Sequence, residues 1–107
     1  MMTWDVVYHE KAERDLADLD KSVSVRVIKA INKVSKNPLP QSEGGYGKPL
    51  GNRQSSKLSG LLKIKLRSIG IRVVYQLIQN GSTMRVLVIS IRDDNIVYKE
   101  AENRVDE

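Results

Sequence analysis

The chain has 107 residues with 18 Lys and Arg against 13 Asp and Glu, a net charge of +5, and no cysteine. One compact core is the natural reading, because two ordinary domains need about 100 residues or more each. Disulfides and thiolate metal sites are excluded by composition, and no run approaches the roughly 18 apolar residues of a membrane span. Met1-Met2-Thr3-Trp4-Asp5 shows no basic segment followed by an apolar stretch, so a cytoplasmic protein is expected.

Thr3 to Tyr8 is rich in β-branched and aromatic residues and predicts a strand. From Glu10 the spacing changes. Ala12, Leu16 and Leu19 recur at helical intervals among charged residues, which predicts an amphipathic helix ending near Asp20. Ser22 to Val27 alternates like a strand, but Val27, Ala30, Ile31 and Val34 sit at i, i+3, i+4 and i+7, and the run is too long for a usual strand. A second helix over 22–36 follows, stopped by Asn37-Pro38-Leu39-Pro40.

Gln41 to Gly60 holds five of the seven glycines and Pro49, and reads as a long basic loop. Such loops in small domains often carry binding or catalysis. Leu61–Arg67, Ile71–Gln79 and Met84–Ile91 then read as three strands, the last two joined by Asn80-Gly81, a strong hairpin signal. Asp93-Asp94-Asn95 offer helix caps, and Val97, Ala101 and Val105 form the stripe of a last helix. The expected fold is α+β: a four-stranded antiparallel sheet, two N-terminal helices on one face and a C-terminal helix, leaving the other face for a ligand.

The charge is segregated. From Gly44 to Arg92 there is no acid, while Lys48, Arg53, Lys57, Lys63, Lys65, Arg67, Arg72, Arg85 and Arg92 supply nine positive charges. Such a field attracts polyanions, nucleic acid first, and would equally attract an acidic protein partner. In Lys63-Ile64-Lys65-Leu66-Arg67, strand alternation puts the three cations on one face. If the following turn is even, Arg67 lies opposite Arg72 and the basic row continues; an odd, bulged loop would weaken that pairing. Lysines alternating with aliphatics are commonly just a solvated strand face, but like charges side by side favour an anion between them.

Elimination narrows the chemistry. His9 is the one histidine, so a two-histidine acid–base pair cannot form, and its place between strand and helix suits a turn residue. No His/Asp/Glu spacing suggests a metal, and Gly44-Gly45-Tyr46-Gly47 lacks the strand and helix that flank a nucleotide loop. No metal or cofactor is expected. What remains is phosphate stabilisation by fixed cations, with Lys63 or Lys65, its pKa lowered by neighbouring charge, as base toward a ribose 2′-hydroxyl; a 2′,3′-cyclic phosphate would form first.

The run Lys63-Ile64-Lys65-Leu66-Arg67-Ser68-Ile69-Gly70-Ile71-Arg72-Val73-Val74-Tyr75-Gln76, with Val88-Ile89-Ser90-Ile91-Arg92 and Val97-Tyr98-Lys99-Glu100-Ala101, resembles the RelE-type toxins of bacterial toxin–antitoxin modules. The resemblance is dense in the second half and thin in the first. It implies an endoribonuclease that cuts messenger RNA in the ribosomal A site, monomeric alone, and held by a RelB-like antitoxin in a hetero-oligomer. It implies catalytic roles for Lys63 and Lys65 (base and charge stabilisation), Arg72 (phosphate), Arg92 (phosphate and leaving group) and Tyr98 (base stacking or orienting the nucleophile). Lys48, Arg53, Lys57 and Arg67 would bind RNA. Tyr98 falls about 100° off the apolar stripe of its helix, which predicts an exposed ring.

Arg92 presents a conflict. A two-residue Asn80-Gly81 turn pairs Arg72 with Ile89 and sends Arg92 to the far face, unless the strand has ended, a bulge intervenes, or Arg92 is outside the site. A strand that has already ended is the expected resolution, since Asp93-Asp94-Asn95 follow at once. Asp93 and Asp94 also depart from the basic tail of some RelE-type relatives. Two other functions stay open: a toxin of the same fold that blocks a protein such as DNA gyrase, as ParE-type toxins do, and a non-catalytic RNA-binding domain. The second is weakened because Tyr75 is the one aromatic in the sheet segments after residue 60, and RNA-binding sheets usually expose several.

Overall fold

The computed structural model describes residues 3–50, 60–78, 81–91 and 93–107. Strand β1 (Asp5–Tyr8) leads into helices α1 (Glu10–Ala17) and α2 (Lys21–Val34). A loop with one 3₁₀ turn reaches the short strand β2 (Lys48–Pro49), followed by β3 (Leu61–Leu66), β4 (Ile71–Ile78), β5 (Thr83–Ser90) and helix α3 (Asp94–Arg104).

The sheet has five strands in the order β1-β5-β4-β3-β2, and it is mixed. This corrects the expected four-stranded antiparallel sheet twice. First, β1 runs parallel to β5, Asp5 opposite Thr83 through Tyr8 opposite Val86. The two helices and three later strands form the long crossover that a parallel pair requires. Second, Lys48 and Pro49 pair with Lys63 and Leu62 as an edge strand. Only two residues long and containing a proline, it carries almost no strand signal, yet an edge position tolerates a proline with no N–H to donate.

The loop before β2 is also more structured than its glycines suggest. Gln41–Glu43 form the 3₁₀ turn, Gly44 closes it at φ +83°, and Gly47 N–H donates to Leu39 O at 3.0 Å. The Tyr75 hydroxyl, buried under this loop, donates to Pro38 O at 2.7 Å.

Apolar residues fill both faces of the sheet. On one, Leu62, Ile71, Val73, Tyr75, Met84, Val86 and Ile89 pack against Ala12 of α1 and Val27, Ile31 and Val34 of α2. On the other, Leu61, Val74, Leu87 and Val88 pack against Val97, Tyr98 and Ala101 of α3. The second face is therefore not free as expected: α3 covers part of it, and a ligand has only the remainder. Asp93 caps α3, its Oδ1 accepting from Ile96 N–H at 3.1 Å, as the acidic run predicts.

Candidate functional site

The uncovered part of the α3 face is built by alternation along β3 and β4. Lys65 is paired directly opposite Arg72, and Arg72 is paired on its other side with Ser90. Paired residues share a face, so these three side chains form one row across β3, β4 and β5. A second row, Lys48–Lys63–Val74–Val88, runs beside it. Lys63, Lys65, Arg72 and Lys48 are all half-buried, which concentrates their field more than free solvation would.

Arg67 stands differently from its expected place opposite Arg72. Leu66 pairs with Ile71, and residues 67–70 make the connection as a 3₁₀ turn closed by Gly70 at φ +65°. The four-residue turn shifts the partner of Arg72 to Lys65 and leaves Arg67 exposed at the corner. Lys65, Arg67 and Arg72, with Leu66, Gly70 and Ile71, line an open cleft of ≈ 230 Å³. The three cations give the described lining of that cleft a positive field, which is suited to an anion.

Tyr98 lies at the boundary between this cleft face and the α3 core. It is 3% exposed, against the expectation of an exposed ring. Its hydroxyl accepts from Lys63 Nζ at 2.5 Å, and the ammonium is 5.3 Å from the ring centre, reached past the hydroxyl rather than over the ring face. Packing wins over periodicity because Tyr98 neighbours the stripe and α3 sits low enough on the sheet to bury both. A ring so enclosed holds its hydroxyl against Lys63 Nζ.

Arg92, Arg53 and Lys57 lie outside the described residues. The expected turn at Asn80-Gly81 reaches outside the described residues; from Ile78 opposite Thr83 to Tyr75 opposite Val86 the register is constant, and between Val74 and Tyr75 a bulge shifts it by one, so Val74 meets Val88 and Arg72 meets Ser90. Leu87 and Val88 both turn toward α3. A bulge reverses the alternation beyond it. β5 itself ends at Ser90.

Asp15 and Arg104, which no sequence pattern marks, hold that bulge. β1 pairs with β5 only as far as Val86, so the next backbone groups of β5 lack a strand partner on that side. Leu87 O accepts from Arg104 Nη1 at 2.8 Å, and Ile89 N–H donates to Asp15 Oδ2 at 3.1 Å. Ser90 is equally invisible to sequence reasoning, because its place beside Arg72 depends on the bulge. Arg85, one of the nine cations, serves structure: it donates to Val105 O at 3.3 Å and Glu107 O at 2.5 Å, tying down the end of α3. His9 is a helix-entry residue whose Nδ1 accepts from Lys11 N–H at 3.0 Å. Among the described residues no group of His, Asp and Glu could hold a metal ion, and no helix is long and apolar enough to cross a membrane.

Residues 6–98 match the family of ParE toxins of type II toxin–antitoxin systems. The chain belongs to that family. Within the RelE/ParE superfamily it is a RelE-type toxin. A RelE-like toxin protein of Escherichia coli is 30% identical over 97% of this chain and 99% of its own length, and the mRNA interferase toxin RelE of Escherichia coli is 28% identical with the same coverage. Among solved structures, a doubly substituted E. coli RelE in the free state superposes with a TM-score of 0.74 at 26% identity, covering 96% of this chain and 98% of that one. A chain of the RelBE2 toxin–antitoxin complex of Mycobacterium tuberculosis gives 0.67 at 25% identity, covering 85% of this chain and 100% of that one.

Proposed function

We propose that this toxin is a metal-independent endoribonuclease that cuts messenger RNA in the ribosomal A site and so stops translation. The observation that carries the reading is the pairing of Lys65 with Arg72 on a sheet face that also holds Lys63. Directly opposed cations repel, and a phosphate between them turns the repulsion into binding. In the proposed reaction, Arg72 and one lysine hold the scissile phosphate. The other lysine removes the ribose 2′-hydroxyl proton, the 2′-oxygen attacks phosphorus, and the 5′-oxygen leaves, giving a 2′,3′-cyclic phosphate. Tyr98 fixes the rotamer of Lys63 through the 2.5 Å hydrogen bond, a positioning role. Arg92 completes the phosphate set in this proposal, with Lys48, Arg53, Lys57 and Arg67 along the RNA. The name of the E. coli relative called mRNA interferase toxin RelE supports messenger RNA as the target.

The proposed antidote is a RelB-like antitoxin whose acidic segment neutralises the cleft; similar chains are seen in RelB complexes. A second reading, inhibition of a protein such as DNA gyrase, is favoured by the match to the ParE toxins. It gives no role to paired cations on an exposed face. Mapping messenger 5′ ends on programmed ribosomes separates the two: cuts confined to the A-site codon, abolished in Arg72→Ala and in Lys63→Ala/Lys65→Ala, support the ribonuclease. A folded, ribosome-bound protein that makes no cuts overturns it and leads to a gyrase supercoiling assay.

A further inference from the structure

The basic character of the chain is not confined to the sheet. Between Asp20 and Asp93 the one acid is Glu43, and α2 with its C-terminal turn carries Lys21, Arg26, Lys29, Lys33 and Lys36 without an acid. Its core stripe, Val27, Ile31 and Val34, faces the sheet, while Arg26, Lys29 and Lys33 are exposed. At i, i+3 and i+7 they lie along one side of the helix over about 10 Å. Lysines on an outer helix face are ordinarily solvated, but like charges three and four apart destabilise a helix, and here no acid offsets them.

Both ends of this row are tied to features that suit RNA. At one end, Arg26 Nη2 donates to Ser68 Oγ at 2.8 Å. Ser68 belongs to the turn whose Arg67 lines the cationic cleft, so the row starts at the cleft rim. At the other end, Lys33 Nζ lies 5.5 Å from the ring centre of Tyr46. Tyr46 is 49% exposed, an aromatic face held beside a cation. Flat aromatic surfaces among cations are how proteins hold unpaired bases.

We infer that Arg26, Lys29, Lys33 and Tyr46 form a track for single-stranded RNA, carrying the strand that leaves the cleft past Ser68. The inference rests on the reading of the chain as an RNA-cutting toxin and extends its substrate contact from the cleft to α2. About 10 Å accommodates about three phosphates at the ~3.4 Å spacing of a stacked strand, with one base on Tyr46. The exposed ring and the continuity with the cleft favour RNA over an acidic peptide, which has no use for a stacking surface.

The test is binding, which does not depend on cleavage. Fluorescence anisotropy with a single-stranded RNA long enough to span cleft and helix, and with a trinucleotide, is measured against salt for the intact chain, Arg26→Gln/Lys29→Gln/Lys33→Gln and Tyr46→Ala. The triple variant should lower the salt slope by about 2, at roughly 0.7 for each single-strand phosphate left unneutralised. Its affinity for the long RNA should fall at least about tenfold, with the trinucleotide unchanged. Tyr46→Ala should weaken binding about tenfold with the slope unaltered. These exposed substitutions leave the core intact, which circular dichroism verifies. Unchanged affinity and slope for the long RNA overturn the track. Equal weakening toward polyglutamate and RNA overturns it in favour of a protein-docking face. If Lys65→Ala and Arg72→Ala cut messenger normally while the α2 variants bind poorly, the catalytic reading fails and the track stands.

Discussion

Asp15 and Arg104 lie 89 positions apart in the chain and meet across the open edge of β5, Nη1 to Oδ2 at 2.7 Å. The pair joins α1 to α3, and each partner also bonds the bulged backbone, while Arg104 Nη2 reaches Glu100 at 3.1 Å. Their side chains are only 21% and 10% exposed, so removing one partner strands the other in a poorly solvated place. Arg104→Met should cost about 3 kcal/mol, toward the low end for breaking a buried pair. Asp15→Ala should cost about 2 kcal/mol, and the double variant less than the sum of the two. Urea unfolding of the four proteins checks this; strict additivity would mean that the pair is not a unit.

The same pair explains what the sequence could and could not reveal. Strands β3, β4 and β5, α3 and the Lys63/Lys65 face are local patterns, so alternation and helical spacing expose them. The parallel placement of β1, the pairing of Lys48–Pro49 and the partner of Arg72 depend on contacts between distant segments. Asp15 reads as one of several acids on a solvated helix. Nothing local says that it accepts a backbone N–H from Ile89, or that this hydrogen bond helps keep a bulge that brings Ser90 beside Arg72. Tyr98 departs from expectation for a related reason: helical angle gives direction, but burial depends on how closely the helix lies on the sheet.

The hydrogen bond from Lys63 to Tyr98 predicts a positioning effect separable from stability. Tyr98→Phe keeps the ring in its pocket and removes one hydrogen bond, worth about 1 kcal/mol of stability. In the proposed cleavage on programmed ribosomes, this variant should cut about tenfold more slowly, through kcat rather than KM, because Lys63 loses the hydrogen bond that holds it. An unchanged kcat would place the Tyr98 hydroxyl among the structural contacts only.

His9 predicts a pH effect. Burial, chiefly, and then the nearby Arg85 hold its imidazole below the usual histidine range; Arg104 and Lys11 act in the same sense and Glu107 opposes them. Nδ1 accepts the α1 cap and Nε2 faces Glu107 at 3.2 Å, so the neutral ring carries its proton on Nε2. Protonating Nδ1 breaks the cap. The unfolded chain therefore takes up this proton first, and stability should fall as pH drops below about 6.5, levelling once the folded histidine is also charged. His9→Asn keeps a capping acceptor and removes the titration. Its urea midpoint should be nearly flat across that window, and a slope equal to that of the intact chain would assign the effect to another group.

The approach of Gly47 to Tyr75 gives a prediction with an internal control. A Cβ at Gly47 would overlap the Tyr75 hydroxyl and press on Leu62 and Pro38 O. Gly47→Ala must displace the hydroxyl from Pro38 O, and should cost about 2–3 kcal/mol for overpacking plus the broken hydrogen bond. Tyr75→Phe alone leaves Pro38 O without its partner and should cost about 1 kcal/mol. In the double variant the oxygen that blocked the new methyl group is gone, so Gly47→Ala should cost less than half as much in the Phe background. Thermal unfolding of the four chains measures the coupling. A full penalty for Gly47→Ala in the Phe background would show that Leu62 and the Pro38 carbonyl, rather than the Tyr75 hydroxyl, set the closeness of the loop to the sheet.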